Sequence, residues 1–181
     1  MIIDNSYFNT YSKVAGAKTN LYCSSLDCLN EFIERYEPKY LECVLGYELS
    51  KLLKEYLANP TSPNRFEGLV NGGEYVACCG SLSYWSGLVN DEKESPIANY
   101  IYFHYQRFLQ TQSTIVGEKI VNSENSINTS IAYKQMEAWN IMVDLTDNLK
   151  GYLKANIKDF PEYKPCCKSC NLEKIYPILN Y

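Results

Sequence analysis

The sequence predicts a mainly α fold, a small helical bundle with a β-hairpin insertion and extended N- and C-terminal arms. Apolar residues recur at helical spacing over several segments, and a glycine-rich turn separates two short apolar runs. Both ends of the chain mix polar residues with scattered aromatics and show no sustained period. A chain of 181 residues buries on the order of 70% of its unfolded surface without metal or disulfide staples. We therefore expect one domain over residues 1–158, with an arm at 1–23, and a tail at 159–181.

Two helices are expected in the first third of the chain. Ser25 is a capping residue ahead of a periodic apolar run, so a helix is predicted to begin there, and Pro38 either ends it or opens the next. From Pro38 to about residue 59 the leucines recur at helical spacing, with Glu and Lys mostly on the opposite side. Pro60 and Pro63 stop this second helix, because proline cannot continue the backbone hydrogen-bond ladder.

The β-hairpin is expected within an insertion at residues 64–90. Its predicted strands are residues 66–70 and 74–77, and the Asn-Gly-Gly sequence at 71–73 tolerates the positive φ of a tight turn. Trp85 stands beside small residues after the second strand, which indicates a packing anchor where the hairpin returns to the helices.

Two further helices are expected in the second half of the chain. Ser95 and Pro96 predict a helix start, with Ser as the cap and Pro at the first helical position. This helix should run to about residue 112, and because it is aromatic on nearly every side it should be central or lie between subunits. Residues 114–128 indicate an extended piece followed by a polar loop. A last helix, from about 129 to 153, carries an apolar seam suited to bundle packing.

Composition and charge restrict the function classes. A net charge of −4 at pH 7 argues against a large duplex-binding surface, because affinity for nucleic acid is built mainly from Lys and Arg. Seventeen Tyr beside six Phe favour contact surfaces, since a ring with a polar tip suits half-buried positions and subunit interfaces. No run approaches the ~18 apolar residues of a membrane span, and we expect a soluble chain made in a cytoplasm.

The cysteines give the strongest candidate for a metal site. Eight are present, and without a signal peptide they are expected as free thiols. Cys166, Cys167 and Cys170 crowd one turn of chain and could contribute thiolates to zinc. A structural zinc site needs four ligands, however, and the only plausible partners are the distant pairs Cys23/Cys28 and Cys78/Cys79, so we predict no metal and no other cofactor.

The sequence contains no recognisable catalytic constellation. His104 is the only histidine, and it lies inside the aromatic helix, where a core or interface role is more common than catalysis. Arg107, on the same helix, indicates either a buried carboxylate partner or a contact between subunits. We therefore predict that the chain is not an enzyme.

Several segments carry a resemblance to a known class of protein. They are SPIANYIYFHYQRF at 95–108, TIVGE at 114–118, NSENS at 122–126 and KQMEAWN at 134–140, with LVNGGEY at 69–75 and the leucines of 41–53 upstream. As an ordered set they resemble proteins of tailed phages of gut Bacteroidetes, crAss-like phages included. Those proteins are similar to head–tail adaptor, or head-completion, subunits, and the resemblance covers about residues 30–150.

The resemblance implies a virion protein at the head–tail junction, assembled in the bacterial host cytoplasm. It implies a homo-oligomeric ring of twelve subunits that docks on the portal protein, contacts further tail or ring proteins, and lets DNA pass without sequence-specific binding. In such a ring each subunit needs two different complementary faces. The residues expected to make these contacts are Asn71, Gly72, Gly73, Tyr75, Tyr100, Tyr105, Arg107, Ile115, Val116 and Gly117.

One alternative function remains open at this point. The tail after Asp159 departs from the pattern of the resemblance, and its cysteine cluster would suit a small metal-binding or regulatory interaction module. Stoichiometric zinc in the purified protein, lost on Cys166→Ser and Cys170→Ser, would favour that alternative.

Overall fold

The computed structural model describes residues 1–9, 23–114, 117–120, 131–164 and 172–176. Its elements are a 3-10 helix (Asn5–Asn9), α1 (Cys23–Leu45), α2 (Tyr47–Ala58), α3 (Phe66–Asn71), β1 (Gly73–Val76), β2 (Leu82–Trp85), α4 (Pro96–Gln110), β3 (Thr111–Thr114), β4 (Gly117–Ile120) and α5 (Ile131–Ala155). The fold is mainly α, a helical bundle with β-hairpins, and this confirms the predicted fold class.

The boundary between the first two helices differs from the prediction. Pro38 lies inside α1, which continues to Leu45, so the predicted break at Pro38 is wrong. The chain turns instead at Gly46, whose φ of 82° is a conformation that favours glycine. Tyr40, Leu41 and their neighbours on α1 are buried, and this packing offsets the hydrogen bond that Pro38 cannot donate.

The first hairpin lies further along the chain than the sequence predicts. Residues 66–70, expected as a strand, belong to the short helix α3, because Phe66, Leu69 and Val70 are buried together at helical spacing. β1 pairs antiparallel with β2, and Gly73 lies opposite Trp85. The turn is therefore at residues 77–81, and the Asn-Gly-Gly sequence connects α3 to β1.

Trp85 anchors this hairpin to the helices, as predicted. Its side chain is fully buried, and its Nε1–H donates to the Leu69 carbonyl at 2.9 Å. The backbone N–H groups of Leu88 and Val89 also donate to the carbonyls of Leu69 and Val70. The chain leaving β2 is thus tied to α3.

The helices α4 and α5 form the centre of the bundle. α4 begins at Pro96 as predicted, but the Ser95 hydroxyl is buried without a hydrogen-bond partner in the described part of the chain, so its side chain does not cap the helix. Backbone and side-chain N–H groups of Asn99 bond to the Ser95 carbonyl instead. The predicted seam of α5 is largely confirmed, since its buried members are Gln135, Ala138, Met142, Val143, Leu149 and Tyr152.

A second hairpin follows α4 where the sequence predicts the end of a helix and an extended piece. β3 pairs antiparallel with β4, with Thr111 opposite Ile120 and Thr114 opposite Gly117. β3 is short and polar, and it lacks the alternation of apolar and polar residues that indicates a half-buried strand. The predicted helix was therefore extended over its first residues.

Described residues of both the predicted arm and the predicted tail pack on the bundle. Ile3, Tyr7 and Phe8, expected within an arm, are buried in the core. The Glu37 carboxylate accepts hydrogen bonds from the backbone N–H groups of Ile2, at 2.9 and 3.0 Å, and of Ile3, at 3.2 Å. In the tail, Phe160 and Tyr163 are buried against the helices, so the core extends past residue 158.

A buried hydrogen bond joins α1 to α5. The Thr146 hydroxyl donates to the Met142 carbonyl, which leaves the Tyr40 hydroxyl to donate to Thr146 Oγ1 at 2.7 Å. Tyr40 is completely buried, and burial raises the pKa of its hydroxyl. This bond therefore links α1 to α5 within the core.

We expect Thr146→Val to destabilise the fold more than Tyr40→Phe. Thr146→Val leaves the buried Tyr40 hydroxyl without its acceptor, at a cost of about 2 kcal/mol, whereas Tyr40→Phe removes the donor and costs about 1 kcal/mol. Urea unfolding of both variants and the double variant measures this. Equal losses for the two single variants would contradict the hydrogen-bond assignment.

Candidate interaction surface

The outer side of the first hairpin is an exposed apolar face. Val76 lies opposite Leu82 and Glu74 opposite Tyr84, and because side chains alternate along a strand these four share one side. Val76, Leu82 and Tyr84 are 60%, 67% and 60% exposed. We call Glu74, Val76, Leu82 and Tyr84 the hairpin face. Val76, Leu82 and Tyr84 were not among the residues expected to make contacts. The alternation Leu82-Ser83-Tyr84-Trp85 nevertheless indicates a strand with one buried side.

The opposite side of the same hairpin packs onto α5. Tyr75 is buried, its hydroxyl donates to Asn148 Oδ1 at 3.2 Å, and its ring meets Tyr152 edge to face. The Tyr75 hydroxyl also lies 2.9 Å from the position of a Cβ on Gly151. The hairpin is therefore held by its inner side, and its outer side faces away from the bundle.

A cavity of about 440 Å³ adjoins the hairpin face. It is lined by Asn71, Tyr84, Ser86, Val89, Asn90, Asp91, Glu92 and Lys93. Asp91 and Glu92 are exposed, and the Lys93 ammonium stacks over the Tyr7 ring at 4.9 Å. The rim of this cavity therefore carries two exposed carboxylates, and Tyr84 belongs both to the cavity lining and to the hairpin face.

An aromatic cluster lies toward the other end of α4. His104 stacks on Tyr36, with 4.4 Å between ring centroids, and meets Tyr100 and Phe103 edge to face. Phe103 in turn contacts Trp139 of α5. The predicted interaction residue Tyr100 is therefore half-buried within the chain's own cluster, and Tyr105 is fully buried.

Positive charges border this aromatic cluster. Lys39 lies over the Tyr36 ring at 4.9 Å and Arg35 at 5.7 Å, while Arg107 lies over Phe103 at 5.7 Å. All three are exposed. Arg107 is thus an exposed residue that lies above an aromatic ring.

The comparisons with known proteins give a family but no function. Residues 41–172, well over half of the chain, match the model of a family of unknown function, DUF6712. The chain belongs to the DUF6712 family. Neither the curated proteins nor the solved structures contain a significant match to it.

The predicted interaction residues of this DUF6712 protein lie apart from one another. Asn71, Gly72 and Gly73 form the connection between α3 and β1, and Asn71 lines the cavity. Gly117 begins β4. Ile115 and Val116 lie outside the described residues, as do Cys166, Cys167 and Cys170.

The cysteines of the DUF6712 chain differ in state. Cys43 is disulfide-bonded, so the expectation of free thiols is wrong at that position. Cys78 and Cys79 are free and exposed in the turn of the first hairpin. A hydrogen bond with the Ser81 hydroxyl, at 3.0 Å, lowers the pKa of the Cys79 thiol. Within the described residues no group of three or more His, Cys, Asp and Glu side chains is placed to hold a metal ion.

Among the described residues of the DUF6712 chain, no helix combines the length and the apolar character required to cross a bilayer.

Burial makes His104 a source of acid sensitivity in the DUF6712 fold. Burial first, and then the charges of Arg107 and Lys39, lower the pKa of His104 from 6.5 to about 4. Between these two values the unfolded chain binds more protons than the folded chain, so the free energy of unfolding falls as the pH decreases through that window. Well above pH 6.5, His104 is neutral in both states and no longer lowers the free energy of unfolding.

We expect His104→Phe to remove part of this pH dependence. In the wild type, the free energy of unfolding should fall by about 1–2 kcal/mol between pH 7.5 and pH 5 through His104, a value reduced for the partial exposure of the ring. Urea unfolding at both pH values, in wild type and variant, measures the difference. An unchanged fall in the variant would contradict this assignment.

Proposed function

We propose that the chain is a structural subunit of a phage head–tail connector ring. The ring of identical subunits, twelve by the sequence resemblance, docks on the portal protein and joins it to the tail, and DNA passes through its centre. The protein acts at the head–tail junction of the virion and is assembled there in the bacterial cytoplasm.

The observation that carries this proposal is the hairpin face. It presents three large apolar side chains, each at least 60% exposed, on a hairpin whose other side is fixed to α5. Contiguous exposed apolar surface on a folded chain is typical of contacts between proteins. Such a rigid projection supplies one of the two different faces that a ring subunit needs.

Charge supports the part of the proposal that concerns DNA. The net charge of −4 at pH 7 would disfavour tight contact with phosphates, because strong binding to DNA requires neutralisation by Lys and Arg. A ring made of such subunits would let DNA move through its channel.

Co-expression of the tagged chain with the portal protein of the same phage genome tests the proposal. We expect the two proteins to co-purify. We expect the double variant Val76→Ser, Leu82→Ser to reduce the amount of chain that co-purifies with the portal. Tyr47→Ser, which changes an equally exposed residue on α2, serves as the control and should leave the complex unchanged. A wild-type chain that never co-purifies with the portal would overturn the proposed function.

A further inference from the structure

Two exposed surfaces of this chain have opposite charge and lie at different ends of the bundle. The first is the hairpin face with the acidic cavity rim: Glu74 lies on the face, Tyr84 belongs to both, and the rim carries Asp91 and Glu92 beside Lys93. The second consists of Arg35, Lys39, Arg107 and Phe108, and we call it the basic end. Phe108 is 51% exposed, so each surface combines charge with exposed apolar area.

The helix α5 separates the two surfaces. The first hairpin is fixed near Asn148 of α5 through Tyr75, whereas Phe103, beside the basic end, packs on Trp139. The nine residue steps from Trp139 to Asn148 span roughly 14 Å along the helix axis. The surfaces are therefore too far apart to cover each other within one chain.

The electrostatics of the basic end fit an acidic partner. Arg107 and Lys39 are the charged groups that act on the buried ring of His104, and both disfavour its protonation. Arg35, Lys39 and Arg107 are all exposed, and they outnumber the exposed carboxylates Glu31 and Glu34 of the same stretch of α1, so the net charge of this region is positive. Carboxylates brought against it would be attracted, and the exposed Phe108 would be covered at the same time.

We propose that the hairpin face of one copy, with its acidic rim, docks onto the basic end of a second copy. This contact is heterologous, because the two surfaces are different. A pair of copies therefore keeps one hairpin face and one basic end unoccupied, and further copies can bind to them. Chains joined in this way close into a ring when the rotation between neighbours permits. The inference rests on the proposed function, since it names the contact between neighbouring subunits of that ring.

Charge reversal tests the contact. One variant carries Asp91→Lys and Glu92→Lys, and the other carries Arg35→Glu and Lys39→Glu; circular dichroism and thermal unfolding verify that each is folded. We expect sedimentation velocity over a concentration series to show self-association of the wild type. In each variant the dissociation constant should rise at least about tenfold, because like charges then meet.

Mixing the two variants is the decisive step. The reversed hairpin end of one variant meets the reversed basic end of the other, so the mixture should regain the association that each variant lacks. Lys154→Glu with Lys158→Glu makes the same change in net charge as Arg35→Glu with Lys39→Glu, at other exposed positions of the chain, and should associate like the wild type. This control separates a specific contact from a general effect of charge.

Two outcomes would overturn the inference. One is a wild type that remains monomeric at its highest soluble concentration, and the other is a mixture that associates no better than the separate variants. Either outcome leaves portal binding to be judged independently. A chain that self-associates as expected but never binds the portal would instead overturn the proposed function and retain this contact.

Discussion

Trp85→Ala is expected to lower the free energy of unfolding by about 3–5 kcal/mol, the largest loss that we predict for a single side chain. Trp85 is fully buried, and its indole N–H bonds to the Leu69 carbonyl at 2.9 Å. Truncation would remove the apolar contacts, leave a cavity between the first hairpin and α3, and break this hydrogen bond. Denaturant unfolding monitored by circular dichroism measures the loss.

Two matched variants separate the components of this effect. Trp85→Phe retains an aromatic ring but loses the donor, and should cost about 1–3 kcal/mol. Tyr84→Ala changes the adjacent exposed ring and should cost less than about 1 kcal/mol. If Trp85→Ala were no more destabilising than Tyr84→Ala, Trp85 would not be the anchor of the hairpin.

Gly87→Ala is expected to destabilise the same region by about 2–4 kcal/mol. Gly87 has a φ of 89°, and a Cβ there would lie 2.6 Å from the Val70 carbonyl oxygen and from the carbonyl carbon of Asn71. Neither backbone atom can move without disturbing the attachment of α3 to the strand that follows it. The strained backbone conformation and the steric overlap of the Cβ therefore both lower the stability of the variant.

Gly80→Ala is the matched control for Gly87→Ala. Gly80 has a similar φ of 81°, but no atom lies within 4 Å of its Cβ position in the hairpin turn. It should cost about 1 kcal/mol, from the backbone conformation alone. Equal losses at the two glycines would show that the close approach at Gly87 contributes nothing.

The helices that could be predicted well are those in which the spacing of apolar residues and the residues at the helix ends favour the same structure as the packing of the core. The seam of α5 repeats at alternating spacings of four and three, and the structure places this helix at Ile131–Ala155, close to the expected 129–153. Pro96 begins α4 because its missing N–H costs nothing at the first helical position.

The errors arise where tertiary packing outweighs a local signal. Pro38 is a helix breaker in isolation, yet α1 continues through it to Leu45 and the chain turns at Gly46. The Asn-Gly-Gly sequence resembles a hairpin turn, but the burial of Phe66, Leu69 and Val70 makes the preceding segment helical. The hairpin face was missed as a consequence, because its register depends on where the turn lies.

The candidate site was predictable only in outline. An interaction surface near residue 71 was expected, and the exposed apolar face lies a few residues further on, at Val76, Leu82 and Tyr84. Tyr75 and Tyr105, expected at interfaces, are buried within the chain. A tyrosine-rich composition cannot tell an internal ring from an interface ring, because both positions favour an apolar body with a polar tip.

Electron cryo-microscopy of the head–tail junction in intact virions tests the central proposal most directly. The account predicts a ring directly beneath the portal whose subunit density matches the α4–α5 pair, with the first hairpin in contact with a neighbouring protein. A junction completed by other proteins, with no density that accepts this fold, would contradict the proposal that the chain is a connector subunit.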